Sequence, residues 1–201
     1  MARLDVNLRD FNHQSDRLLS LIDNLGSLNP RYQKMVAELV MVRLFSLVES
    51  HFESITTKIL CATPYVDGTS PVLLFESANA SNARSNMLRY GRRSAKNQLR
   101  WTKVTFIQDN VIHLLDGSDH LLRVLTTHSS FIEEMRCVRN HVAHNTSDTR
   151  ARYRPVVERY YGAYVPRITP GVLLLTSRIA PLLIRQYILK SRFVIREIVR
   201  G

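Results

Sequence analysis

Apolar residues recur along most of this chain at intervals of three and four, the spacing of one face of an α-helix. Leu4, Leu8, Phe11, Leu18, Leu19, Ile22 and Leu25 predict a first helix that stops at Gly26, with Asn29-Pro30 as the break. Met35, Leu39, Val42, Phe45, Val48, Phe52, Ile55 and Ile59 predict a long helix from Tyr32 to Leu60. Cys61 to Pro71, with two prolines and Asp67-Gly68, has the chemistry of a loop. Pro71 suits the first position of a short helix through Val72, Leu73, Leu74 and Phe75. Asn79 to Asn86, rich in Ser, Asn and Ala, reads as irregular or as a weak helix start. Helix is expected again from Leu99 to Leu115, closed by Asp116-Gly117, and then through Leu122 and Leu125 with Ser118 as the cap.

Ser129-Ser130 followed by Glu133-Glu134 resembles a helix start with acidic residues in the first turn. It places Phe131 to His144 on a helix, with Asn145 as a left-handed stop. Arg150 to Tyr161 requires Pro155 in a first turn or at a kink. Gly162 to Gly171 is a loop, and Val172 to Val199 closes the chain as one helix or as a pair bent at Pro181. No strand and no internal repeat emerges. The expected fold is an all-α bundle in one domain, 1–201, with 1–29 as a candidate appendage to a core of 30–201.

Composition changes this picture in two ways. Of 201 residues, 45% are hydrophobic and 22% charged, which excludes wholesale disorder and leaves enough apolar surface for a core. Lys and Arg number 28 against 17 Asp and Glu, a formal net charge of +11. That excess attracts polyanions: nucleic acid first, an anionic membrane surface or an acidic protein second. Cys61 and Cys137 are far apart in sequence and form no metal-binding spacing, so a reducing cytoplasm is the expectation. Met1 to Asp16 is charged throughout and is not read as a secretory signal. Arg178, Pro181 and Arg185 interrupt the most apolar stretch, Val172 to Leu189, so no membrane span is expected and the protein should be soluble.

The segment Arg139-Asn140-His141-Val142-Ala143-His144 concentrates the chemistry. A guanidinium grips a phosphate, and an imidazole moves protons near neutral pH. On a regular helix Arg139 and His144 differ by about 140° in direction and ~7.5 Å in height, so one copy aims them poorly at one phosphorus atom. Either the helix unwinds near Asn145 and swings His144 back, or a second protomer lays its own copy across a two-fold axis; the second route is favoured. His141 and His144, at i and i+3, also match a metal pair in outline. Without Glu or Asp in a zincin arrangement, neither a metal nor another cofactor is expected.

Arg139, then the polar Asn140, then His144 late in a helical bundle resembles the signature of the HEPN superfamily. The similarity extends over Tyr32 to Val199 in its order of helices, with Trp101 on a middle helix, and looks closest to stand-alone prokaryotic defence nucleases, including the RiboL-PSP group. The resemblance implies a homodimeric, metal-independent endoribonuclease acting on single-stranded RNA, a toxin or antiviral defence effector with an antitoxin or other partner protein. Some relatives carry a Tyr two residues after the His as a target of AMP transfer. Thr146 stands there in this chain, so that mode of neutralisation is not carried over.

The chemistry also follows from the groups themselves. Neutral His144 would take the proton from the RNA 2′-hydroxyl, Arg139 would hold the scissile phosphate, and Asn140 would orient the phosphate or the imidazole. The second protomer's His would protonate the 5′-oxygen. Products would be a 2′,3′-cyclic phosphate or a 3′-phosphate and a 5′-hydroxyl, and DNA would survive. His141, Glu49 and His51 are candidates to support these groups from behind.

Between Glu76 and Asp109 the chain has no acidic residue. If that stretch is one helix despite Gly91, Arg89, Arg93, Lys96, Arg100 and Lys103 form a single charged stripe suited to an RNA backbone. Leu88, Ala95, Leu99 and Phe106 would then pack on the other side. Tyr90 or Trp101 could stack on a base, though a core position fits Trp101 better. On the last helix Lys190, Arg192, Arg196 and Arg200 are expected to face water. His113, His120 and His128 read as surface or capping residues. A non-catalytic RNA-binding or protein-interaction module is the competing function. A DNA-binding regulator is weaker, because no helix-turn-helix with a recognition helix is evident.

Overall fold

The computed structural model describes residues 3–201, so the first two residues of the Met1–Asp16 stretch lie outside the described part. Among the described residues the chain forms α1 (Leu4–Asp23), a 3₁₀ turn (Leu25–Ser27), α2 (Pro30–Ile59), α3 (Ala80–Arg89), α4 (Val104–Val111), α5 (His120–Thr127), α6 (Ser129–His144), α7 (Ser147–Tyr161), α8 (Pro170–Leu174) and α9 (Leu183–Arg200). The fold is all-α: among the described residues the one extended pairing is an isolated antiparallel bridge between Leu73 and Leu115. Among the described residues no helix is long and apolar enough to cross a membrane.

Contacts group the chain into two compact units. The first holds the chain as far as Phe11, Val48–Ile132 and Phe193–Gly201; the second holds Asn12–Leu47 and Glu133–Arg192. The chain therefore passes between units inside α1, α2, α6 and α9. In the first unit Asn7 of α1 donates to Ser54 of α2 at 2.8 Å. In the second, Arg192 of α9 donates to Ser15 at 2.7 Å and pairs with Asp16 of α1 at 2.5 Å, so this last-helix cation is paired rather than turned to water.

Local chemistry explains where the helices differ from expectation. Asn79 caps α3 by accepting from the Asn82 N–H at 2.9 Å, which turns the Ser/Asn/Ala stretch into a ten-residue helix. No helix follows Pro71. Val72 donates to Asp119 Oδ2 at 2.9 Å and Leu74 to the Leu114 carbonyl at 2.9 Å, so this segment runs extended. Asp119, not Ser118, caps α5, and it also accepts from the Tyr65 hydroxyl at 2.6 Å. Residues 99–103 lie outside α4. The buried Asn110 side chain donates to the Arg100 carbonyl at 2.8 Å and holds that segment as a loop. Pro155 sits inside α7 rather than in its first turn.

The long helix α2 is apolar on more than one side. Ala37, Val40, Met41, Leu44, Phe45, Leu47, Val48, Phe52, Ile55 and Ile59 are buried, as a helix within a core requires. Met35 and Leu39, which begin the apolar series expected from sequence, are instead 49% and 67% exposed.

Gly91 ends any continuation of α3. It adopts φ +68°, and a Cβ there would lie 2.6 Å from His113 Cγ. Gly91→Ala is expected to cost about 1–2 kcal/mol, combining left-handed strain with displacement of the His113 ring. Urea unfolding checks this, and an unchanged midpoint would refute it.

Candidate functional site

The second unit builds its site around α6. Glu134 is buried on that helix and accepts from Tyr160 at 2.7 Å and from Tyr187 at 2.8 Å, with Arg159 as its ion-pair partner. Burial pushes the Tyr187 phenol well above its usual range, so it serves as a hydrogen-bond donor to the carboxylate. These three donors tie α6 to α7 and α9. Two turns on, His141 is buried too. Its Nδ1 lies 3.3 Å from Thr149 Oγ1, and its ring stacks on Tyr153 with centroids 4.6 Å apart. Glu134 and His141 are seven residues apart and so share the face of α6 that meets α7.

Arg139 points elsewhere. Its guanidinium lies over the Phe45 ring of α2, 5.8 Å from the centroid, and its Nη1 donates to Asn140 Oδ1 at 3.0 Å. Its Nε is buried and has no hydrogen-bond partner among the described residues. No Asp or Glu among the described residues pairs with it. His144 is the last residue of α6 and is exposed. Asn145 follows at φ 38°, and Thr146 caps α7 through a reciprocal pair of bonds with Thr149. The left-handed stop at Asn145 agrees with the sequence reading. Because α6 is helical through His144, unwinding does not swing this ring back toward Arg139.

The structure thus brings Arg139 and Asn140 into contact and leaves His144 at the helix end. His141, expected as a supporting group, is a packing residue between α6 and α7. Glu49 and His51 belong to the other unit. Glu49 is half-buried, while His51 pairs with Asp10 at 3.3 Å and meets the edge of Phe11. Phe45 is the α2 residue that supports Arg139, and no sequence signal separated it from other core aromatics. Glu134 left a faint one: an acidic residue beside Phe131, Met135 and Val138 on an otherwise apolar face.

A cleft of about 530 Å³ opens beside this end of α6. His141, Val142, Asn145 and Arg150 line one part of it, and Glu38 and Tyr164 another; Arg139, Asn140 and His144 do not. Burial, with the Arg150 charge adding to it, pulls the His141 imidazole below the ordinary value of 6.5. The unfolded chain therefore binds this proton more tightly than the folded one. Stability from this group is full above about pH 6.5 and is lost as pH falls through the folded value. His141→Gln should flatten the dependence of unfolding free energy on pH as the pH falls below about 6.5. A slope as steep as in the wild type would assign that dependence to another group.

The basic stretch of the first unit is not one stripe. α3 stops at Arg89, and the chain folds back so that Lys96 N–H donates to the Leu88 carbonyl at 2.9 Å. Arg89 and Arg93 are exposed, as is Ala95, which packs on nothing in the expected manner. Lys96 pairs with Asp109 at 2.6 Å and donates to Asn110, and Arg92 shares the same carboxylate. Asp109 lies just outside the acid-free interval in sequence and returns to it in space. Arg100 and Lys103 both approach the Phe106 ring, at 5.5 and 5.6 Å from its centroid. Trp101 is buried, and Tyr90 stacks on Phe75. His120 and His128 pack against α9 through Glu197, and His113 is exposed.

No group of three or more His, Cys, Asp or Glu able to hold a metal occurs among the described residues. Fold and site together define an all-α protein with an arginine free of carboxylate partners near the end of one helix and a histidine exposed at that end. No protein-family model, curated protein or solved structure matches the chain.

Proposed function

We propose that this chain is a metal-independent endoribonuclease of the HEPN type, acting as a homodimer on single-stranded RNA. The observation that carries the reading is Arg139. It is held by Phe45 and Asn140, has a buried Nε without a partner, and stands five residues before the exposed His144. A structural arginine in such surroundings ordinarily pairs with a carboxylate, because an unmet buried donor costs about 1–3 kcal/mol. With no carboxylate beside it, the guanidinium's outer nitrogens are left to take a phosphate instead.

On a regular helix the two groups diverge by about 140°, so the complete site takes groups from two copies. His144 accepts the 2′-hydroxyl proton, the 2′-oxygen attacks phosphorus, and Arg139 stabilises the charge that gathers on the phosphoryl oxygens. The second copy's His144 protonates the departing 5′-oxygen. Exposed Arg89, Arg93 and Arg100, with Lys103, supply a cationic surface for the strand, and Lys96 serves the fold through Asp109 instead. Free Cys61 and Cys137 accord with a cytoplasmic setting. The role as toxin or defence effector, and an antitoxin or defence-system partner, rest on the family resemblance.

The test is incubation with a long single-stranded RNA, and with DNA of the same sequence, in excess EDTA. RNA fragments ending in a 2′,3′-cyclic phosphate or 3′-phosphate and a 5′-hydroxyl, with DNA intact, are expected. Uncut RNA, or cleavage that EDTA abolishes, overturns the reading. One observation favours a non-catalytic RNA-binding module: the cleft beside α6 is lined by His141 and its neighbours and not by the motif's three groups. That module would bind RNA with the same cations and leave it whole.

A further inference from the structure

The cleft beside α6 holds two opposite charges that the fold leaves unpaired. Glu38 of α2 and Arg150 of α7 both line it, and among the described residues neither takes part in an ion pair. Every residue that lines the cleft belongs to the second unit. Glu38 is half-buried, and its Oε1 accepts from the Gly171 N–H at 2.8 Å. That bond fixes the carboxylate and leaves most of its lone pairs open. A partly buried carboxylate with no cation beside it is disfavoured unless a ligand donates to it.

His141 adds a second acceptor. The Thr149 hydroxyl donates to the Thr146 carbonyl at 3.1 Å, so it receives the His141 Nδ1–H and leaves Nε2 bare. The residue is 9% exposed, its ring is held by Tyr153, and Nε2 has no hydrogen-bond partner among the described residues. Burial and the Arg150 charge keep the imidazole neutral near pH 7, so that lone pair is available. The cleft thus offers two acceptors, one guanidinium and the aromatic ring of Tyr164.

We propose that this cleft is a guanine subsite, in which Glu38 reads the N1–H and the 2-amino group and Arg150 reads O6 and N7. The inference deepens the nuclease reading by naming the base its site takes, and it rests on that reading only for the consequence on cleavage.

Complementarity selects the base. Guanine sets two N–H donor groups side by side, and its O6 and N7 suit a guanidinium fork. Adenine and cytosine place a bare ring nitrogen beside their one amino group, and uracil flanks its one N–H with two carbonyls. Each of these three turns a lone pair toward the carboxylate, which rejects it. Bases of an unpaired strand are held by such edge bonds and by aromatic rings, and Tyr164 supplies the ring. The volume of about 530 Å³ lies within the range of clefts that take small ligands. Asn145, which lines the cleft, directly follows His144, so a base seated here belongs to a nucleotide at the motif end of α6.

The test is calorimetric titration of the full chain with GMP, AMP, CMP and UMP. All four carry the same phosphate, so attraction to a chain of charge +11 is common to them and the difference reports the base. GMP should bind about tenfold tighter than each of the others, the discrimination of one good bidentate pair. Glu38→Gln keeps an oxygen for the Gly171 N–H and should bind the four alike while melting with the wild type. Arg150→Ala, at an exposed position, should weaken GMP about tenfold and the other three less. Equal affinity for the four nucleotides, binding of none, or a GMP preference that survives Glu38→Gln each overturns the proposal.

Two sources share this chemistry, a guanosine of the RNA strand and a free guanine nucleotide. An oligouridylate with one central guanosine, set against one without, separates them: tighter binding of the first identifies the strand, and a preference confined to GMP identifies the free nucleotide. Cleavage of the same two strands is read in parallel. Guanine-selective binding without cleavage keeps the subsite and removes the nuclease, while cleavage indifferent to guanosine, with the four nucleotides bound alike, does the reverse.

Discussion

Replacing His144 by alanine is expected to lower cleavage of single-stranded RNA by about 10³-fold, the usual contribution of one general acid–base group. The expectation is sharp because His144 is exposed at the end of α6, so its loss should leave unfolding free energy within about 0.5 kcal/mol of wild type. Activity and stability are thereby uncoupled at this position. Arg139→Ala should also lose about 10²–10³-fold, but with a stability cost, since the side chain rests on Phe45. Arg139→Lys retains charge and apolar stem but lacks the guanidinium fork, and should not restore cleavage. Single-turnover assays in EDTA, normalised to the folded fraction, decide the matter. Full activity in His144→Ala would remove imidazole catalysis from the mechanism.

The largest stability effect should come from Glu134. Its carboxylate is buried and receives Tyr160, Tyr187 and Arg159 together. Glu134→Ala leaves the buried Tyr187 hydroxyl without that acceptor and removes the bonds that tie α6 to α7 and α9. A loss of about 3 kcal/mol is expected, discounted from the full cost of breaking a buried pair because Arg159 is 61% exposed and can turn to water. Glu134→Gln keeps an acceptor for the tyrosines and should lose less. Urea unfolding followed by circular dichroism measures both, and equal midpoints for Ala, Gln and wild type would show that the network does not hold the helix. Since α6 carries Arg139 and His144, Glu134→Ala should also reduce cleavage at temperatures where the wild type is still fully active.

Most helices were legible from the chain, and the reasons differ by element. α1, α2, α6 and α9 combine long periodic apolar runs with clear stops at Asn29-Pro30 and Asn145. α3 was less clear because Ser81, Asn82, Ser85 and Asn86 are weak helix formers, and its start is set by the cap at Asn79. The expected helix after Pro71 failed to form because Asp119, 47 residues away, takes the Val72 N–H. Local propensity cannot register a partner at that distance. The charged stripe failed for a related reason, since Gly91 breaks the helix and Asp109 folds back onto Arg92 and Lys96.

The motif residues were readable by type and spacing, yet their surroundings were not. That Arg139 and His144 point in different directions follows from helical geometry alone. Their unequal exposure does not, because it depends on Phe45 of α2 lying beneath one and nothing lying over the other. Residue order settled the all-α class, the positive charge and the placing of an Arg-Asn-x-x-x-His element at a helix end, since periodicity, composition and capping are local or additive properties. Which apolar face of α2 is buried and which is left bare, which cations are neutralised, and that His141 packs against Tyr153 instead of joining the site were decided by the folded arrangement. Those outcomes depend on contacts between segments far apart along the chain, and desolvation acts on a side chain only once its neighbours have arrived.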